Sequence, residues 1–180
     1  MEDPIPAQPR TATAEDVPEL VRLRAVALDG LGVDPGSDDA PWRENARGWF
    51  EERVDGRRPD CTCLVVGGDP GEPLRAAGLA WVTYHLPGPV WTDGRRGYVD
   101  GMVTDPAARG QGHAGRIVAG LVEWVNGLGV RYVQLHASAA GEPVYRAAGF
   151  VAARYTGMDL ITPPAPATSG RPTSGPATGG

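Results

Sequence analysis

Lysine is missing altogether: the 17 basic residues of this 180-residue chain are all arginine. Without lysine there is no Schiff-base catalysis, no lysine base and no phosphate loop of the GxxxxGK[ST] kind. Cysteine is nearly missing too. Cys61 and Cys63 are the only two, too few for a disulfide scaffold, and no His/Cys cluster completes a metal site, so no metal is expected. No apolar run approaches the roughly 20 residues that span a bilayer. The opening MEDPIPAQPRTATAED is acidic and proline-rich, with no apolar signal core. Against the 17 arginines stand 22 carboxylates, a net charge of −5. That balance disfavours a nucleic-acid-binding surface, although a local basic patch can still hold phosphate. A soluble cytoplasmic protein is expected, with no membrane or nucleic-acid partner.

What is present suffices for one core, with 41% hydrophobic residues. Residues 162–180, TPPAPATSGRPTSGPATGG, hold one charge and no large apolar side chain. They cannot offset their ordering entropy and read as a disordered tail, leaving 1–161 as a single domain. Thr13 or Asp16 can cap a first helix striped by Val17, Leu20, Val21 and Leu28. Trp42–Val54 reads as a second helix. Three apolar runs, Cys61–Val66, Leu74–Leu86 and Gly97–Thr104, have the length and β-branched content of strands. The clearest periodicity follows: Ala114, Ile117, Val118, Leu121, Val125 and Leu128 fall at helical spacing. Val130–Ala137 reads as a buried strand, Pro143–Ala148 as a short helix and Val151–Ile161 as one last strand or two short ones. This order suits an α/β domain with a mixed, mostly antiparallel sheet.

Between the third strand and the long helix lies RGQGHAG, Arg109 to Gly115. Gly110, Gly112 and Gly115 spell GxGxxG, yet a dinucleotide fold is disfavoured. Pro106 interrupts the run from the strand, and Val133–Ser138 lacks the carboxylate that would bind a ribose. Glycines at the start of a helix can instead present unpaired N–H groups to an anion, and the helix dipole favours its charge. Arg109 and Arg116 flank the loop as phosphate partners.

VTDPAARGQGHA, followed by an amphipathic helix, resembles motif A of the GNAT N-acetyltransferase superfamily, whose Q/R-x-x-G-x-G/A pattern is met by Arg109, Gly112 and Ala114. PVYRAAGF, Pro143 to Phe150, resembles that family's motif B. The resemblance runs from Thr11 to Ile161. It implies a GNAT-like mixed sheet of six to seven strands with about four helices, and acetyl-CoA as co-substrate. The co-substrate would lie between the family's fourth and fifth strands, which map here to Gly97–Thr104 and Val130–Ala137, with its pantetheine arm on Met102, Val103 and Thr104. Its pyrophosphate would rest on the loop of Arg109, Gly110, Gln111, Gly112, His113, Ala114, Gly115 and Arg116. Ser138 stands near the place of a frequent family asparagine. Tyr145 matches the tyrosine that protonates the leaving thiolate, and Asp100 the carboxylate that takes the amine proton. An ion pair or a solvated edge explains Asp100 equally well. Glu142 is a weaker candidate, and His136 can face the acceptor or be an ordinary core histidine.

The resemblance thus implies acetyl transfer to a primary amine, that of a small molecule, by direct attack on the thioester. The alternative is a non-catalytic acyl-CoA-binding sensor or interaction module, which needs neither acid nor base. Family members often form homodimers. For the acceptor, the acidic loop of Asp34, Asp38 and Asp39 with Trp42 and Trp49 suits a cationic amine.

Overall fold

The computed structural model describes residues 8–162. The tail expected at 162–180 lies outside the described residues except for Thr162. Five strands form one sheet in chain order: β1 (Arg10–Thr11), β2 (Cys61–Gly67), β3 (Leu74–Tyr84), β4 (Arg95–Thr104) and β5 (Val133–Gln134). Every neighbouring pair is antiparallel except β4–β5, which is parallel. The helices are α1 (Val17–Gly30), α2 (Pro41–Glu51), α3 (His113–Gly127) and α4 (Glu142–Ala147).

The alternation of each strand serves two cores. Cys63, Val65, Ala77 and Leu79 face α1 and α2, packing with Leu20, Leu23 and Phe50. Val66, Ala76, Ala80 and Val99 face α3, against Ile117, Leu121 and Val125. The expected stripe of α3 is therefore its buried face.

Six to seven strands were expected, and among the described residues the sheet has five. The run Val130–Ala137 contributes only Val133–Gln134. Val151–Ile161 forms no strand, and its side chains are exposed. A two-residue β5 offers almost no ladder on which a further strand could pair. Gly157 also interrupts the apolar pattern, as do Arg154 and Asp159. Conversely, β1 is too short to leave a periodic signal.

Asp16 anchors the entry to α1. Its carboxylate is fully buried and accepts Arg10 Nη1 at 2.7 Å and Nη2 at 2.8 Å, with the Thr13 N–H at 2.8 Å. Burial alone would push this carboxyl up, but the Arg10 and Thr13 hydrogen bonds outweigh it and hold it below the ordinary value. The pair's contribution is therefore complete above about pH 4 and lost as pH falls through the lowered folded value. Arg10→Ala strands the carboxylate and is expected to destabilise by about 2–3 kcal/mol at pH 7, less than a fully enclosed pair because Arg10 is partly exposed. Without Arg10, burial raises the carboxyl, so the penalty should shrink as pH falls toward 4. Denaturant titrations at both pH values test this, and an equal penalty at both would place the cost elsewhere.

Candidate active site

The site is built around an irregularity in β4. Ala77 pairs with Val103 and Leu79 with Asp100, so Gly101 and Met102 oppose the single residue Gly78. Gly101 takes φ +61°, and a side chain there would meet Leu79 Cδ1 at 2.5 Å. This is a β-bulge that needs glycine. Its effect is a change of phase. Before it, Val99 faces α3 and Asp100 faces α1; after it, Met102 faces α3 and Val103 faces α1. An unbroken strand would reverse the last two.

On the other edge, β4 meets β5 only at Gly97–Val133 and Tyr98–Gln134. From Val99 to Thr104 that edge has no strand partner among the described residues. A fork therefore opens beside Met102, Val103 and Thr104. At its far end, Asp105 caps a 3-10 turn (Pro106–Ala108) through the Ala107 N–H. Asp105 also accepts Arg22 Nη1 at 2.7 Å, which ties the end of β4 to α1. Arg22 was not among the expected residues, and nothing in its local sequence marks it.

The glycine loop follows. Gly110 and Gly112 have φ of +78° and +74°, and Gly112 caps α3. Among the described residues, no backbone N–H from Gly110 to Gly115 has a hydrogen-bond partner. A side chain added at Gly110 or Gly115 would meet nothing within 4 Å. Six free amides at the start of a long helix, with open space above them, fit a pyrophosphate. Arg109 is exposed, its Nε 3.4 Å from the Thr104 carbonyl. Arg116 instead folds back on the loop, Nη2 donating to Gln111 O at 3.0 Å and to His113 Nδ1 at 2.8 Å. Its Nε is buried without a partner.

His113 is buried, so the loop uses its backbone for any ligand and its side chain as a brace. A guanidinium only donates, so Nδ1 accepts and Nε2–H donates to Gln111 Oε1 at 3.2 Å. Burial, then the charges of Arg116 and Arg75, lowers its pKa.

Tyr145 lies on α4, half-buried, its ring 6.0 Å from that of Phe150. Burial, then the charge of Asp100, raises its pKa, so the phenol stays protonated at neutral pH. Asp100 is exposed, with Oδ1 accepting the Gly101 N–H at 2.7 Å. Ser138 Oγ accepts the Gly141 N–H at 3.2 Å and so shapes the turn into α4. Glu142 pairs with Arg146 at 2.7 Å. His136 is exposed, with Nδ1 2.6 Å from the Tyr98 hydroxyl.

A cavity of about 230 Å³ lies on the α1/α2 side of β4. Trp49, Phe50, Leu79 and Trp81 form its apolar wall, with Asp100 and Gly101 at its β4 side. Trp49 was expected near the acceptor. Asp34, Asp38 and Asp39 do not line this cavity: they bond Gly36, Arg43 and Ser37 and hold their own loop together. Trp42 Nε1 likewise donates to Pro35 O. The cavity itself was missed, although a glycine inside a strand, Gly101, is the sequence mark of a bulge.

The profile of the acetyltransferase (GNAT) family matches residues 23–150. This chain belongs to the GNAT acetyltransferase family. Acetyl-CoA is the co-substrate of that family. Solved GNAT structures share the fold. A predicted acetyltransferase from Clostridium acetobutylicum, solved with acetyl-CoA, is 23% identical with a TM-score of 0.71, covering 85% of this chain and 96% of its own. A GCN5-related N-acetyltransferase from Ralstonia eutropha JMP134 is 20% identical with a TM-score of 0.69, covering 85% and 97%. Glucosamine-6-phosphate N-acetyltransferase from Arabidopsis thaliana is 18% identical with a TM-score of 0.65, covering 86% and 98%. No curated protein matches the chain in sequence. Among the described residues no helix is long and apolar enough to cross a membrane, and no cluster of three or more His, Cys, Asp or Glu could hold a metal.

The His113 brace gives a pH test. Its folded pKa lies below the unfolded value of about 6.5, so its contribution is complete above that pH and lost as pH falls through the folded value. The melting temperature should therefore fall more between pH 7.5 and 5 for the parent than for His113→Gln. Equal slopes would overturn the brace.

Proposed function

We propose that this chain transfers an acetyl group from acetyl-CoA to the primary amine of a small molecule, by direct attack on the thioester. One observation carries the reading. The stretch of β4 from Asp100 to Thr104 borders the aromatic cavity on one side and the open fork on the other. A nucleophile held in the cavity and a thioester held in the fork would meet at the bulge. Acetyl-CoA supplies an activated acyl group with a thiolate leaving group.

The chain's own groups supply the rest. The unpaired edge of Met102, Val103 and Thr104 offers backbone to an extended pantetheine arm, and a fixed N–H there polarises a carbonyl without reorganising. The amides of Gly110, Gln111, Gly112, His113, Ala114 and Gly115 receive the pyrophosphate, with Arg109 outside them and Arg116 bracing the loop from within. Ser138 positions α4 through its turn. Asp100 takes the proton that the amine loses, through a water because aspartate is short. Tyr145 gives a proton to the thiolate as the C–S bond breaks. Its hydroxyl has no partner among the described residues and is free for that task. A covalent relay is disfavoured: Cys61 and Cys63 are buried in β2, and burial pushes both thiols up. Unpaired thiols also suit a cytoplasmic setting.

Calorimetry with acetyl-CoA, followed by thiol-release assays across an amine panel, tests the proposal. Tyr145→Phe should lower kcat by about 100-fold with co-substrate affinity nearly unchanged, and Asp100→Asn should also lower kcat. Weakened binding with normal turnover in Tyr145→Phe would remove it from the chemistry. Tight acetyl-CoA binding with no amine acetylated would favour the non-catalytic sensor.

A further inference from the structure

The cavity beside β4 carries a cation as well as a carboxylate. Arg24 of α1 lines it together with Asp100. Other arginines near the site are engaged. Arg22, on the same helix, donates to Glu19, to Asp105 and to the Leu74 carbonyl. Arg53 lies over the ring of Trp49 at 4.1 Å and donates to the Trp49 carbonyl. Arg24 has no hydrogen-bond or ion-pair partner among the described residues, and it is the only arginine of this lining.

An unpaired guanidinium beside an apolar cavity bears directly on what can enter. A plain amine arrives as an ammonium ion, which Asp100 attracts and Arg24 repels. An acceptor that also carries an anion satisfies both residues. The guanidinium fork matches a carboxylate in particular, because two parallel N–H groups meet two oxygens in one plane. Between these charges the walls are aromatic. Trp49 stands edge-on to Phe50 at 5.4 Å and to Trp81 at 6.4 Å. A cavity of about 150 Å³ with apolar walls takes a benzene-sized guest. The volume of about 230 Å³ therefore leaves room for one ring with short polar arms.

We infer that the acceptor is an amino-carboxylate on a single-ring or similar apolar skeleton, its carboxylate held by Arg24 and its amine at Asp100. The inference rests on the acetyl-transfer reading above and adds the class of acceptor.

The test uses the full chain and matched pairs that differ by one carboxylate: benzylamine with 4-(aminomethyl)benzoate, and phenethylamine with phenylalanine. With acetyl-CoA present, at least one carboxylate member should exceed its partner in kcat/KM by about tenfold or more, the worth of a charge-assisted contact. Arg24→Gln should bring that ratio toward one, and Arg24→Glu should invert it. Arg24 is exposed and unpaired, so these variants should fold, and circular dichroism verifies it. Equal kcat/KM within both pairs, or a preference that survives Arg24→Gln, overturns the inference and leaves acetyl transfer standing. If acetyl-CoA binds but neither pair is acetylated, transfer to such amines fails, and the pairs are compared by tryptophan fluorescence. Trp49 and Trp81 line the cavity and report occupancy there. Carboxylate-selective, Arg24-dependent quenching then retains the binding class, and its absence overturns it.

Discussion

Much of this architecture follows from how little of β4 is paired on its β5 edge. Two rungs, at Gly97 and Tyr98, hold the parallel strands together. Beyond them the ladder stops, leaving backbone that a closed sheet would have consumed. The bulge at Gly101 acts on the same stretch from the other side, turning Met102 toward α3 and Val103 to the α1 face that Asp100 already shares. Fork, bulge and cavity thus share a few residues, held by β3 on one edge and by two helical layers on its faces.

The charges around this stretch divide into those that build and those left available. Asp16 with Arg10, and Glu19 and Asp105 with Arg22, fasten α1 to the sheet and to the end of β4. His113 and Arg116 fasten the glycine loop to itself. What remains available is the row of amides from Gly110 to Gly115, together with Arg109, Arg24, Asp100 and the Tyr145 hydroxyl. In a chain without lysine, arginine serves both purposes, and its neighbours decide which. A fork held by two carboxylates becomes a strut; one beside an apolar cavity is left with its donors free.

The parts of this site legible in the sequence are those whose signals are local. The stripe from Ala114 to Val125 sets α3, and the glycines before it set the loop, because helix period and left-handed turns are properties of neighbouring residues. The GNAT family follows from those motifs. The cavity beside β4 is not legible in this way: Arg24, Trp49, Trp81 and Asp100 come from four elements and meet only after the sheet forms. The local bonds of the acidic loop are hidden for the same reason, since Asp34 and Asp39 satisfy their own turn while composition alone shows only their charge. The last strand fails on pairing. Val151–Ile161 has apolar residues, but a strand also needs a neighbour with a free edge of matching length.

The burial of Cys61 and Cys63 within β2 has a practical side. They are the only thiols in the chain, enclosed and held in their protonated form. A reagent that reads free thiols therefore meets little background from the folded protein. With no lysine present either, an amine-reactive label finds no side-chain amine to modify. Both sides of an acyl exchange, the thiol released and the amine consumed, can be followed in solution with the protein itself nearly silent.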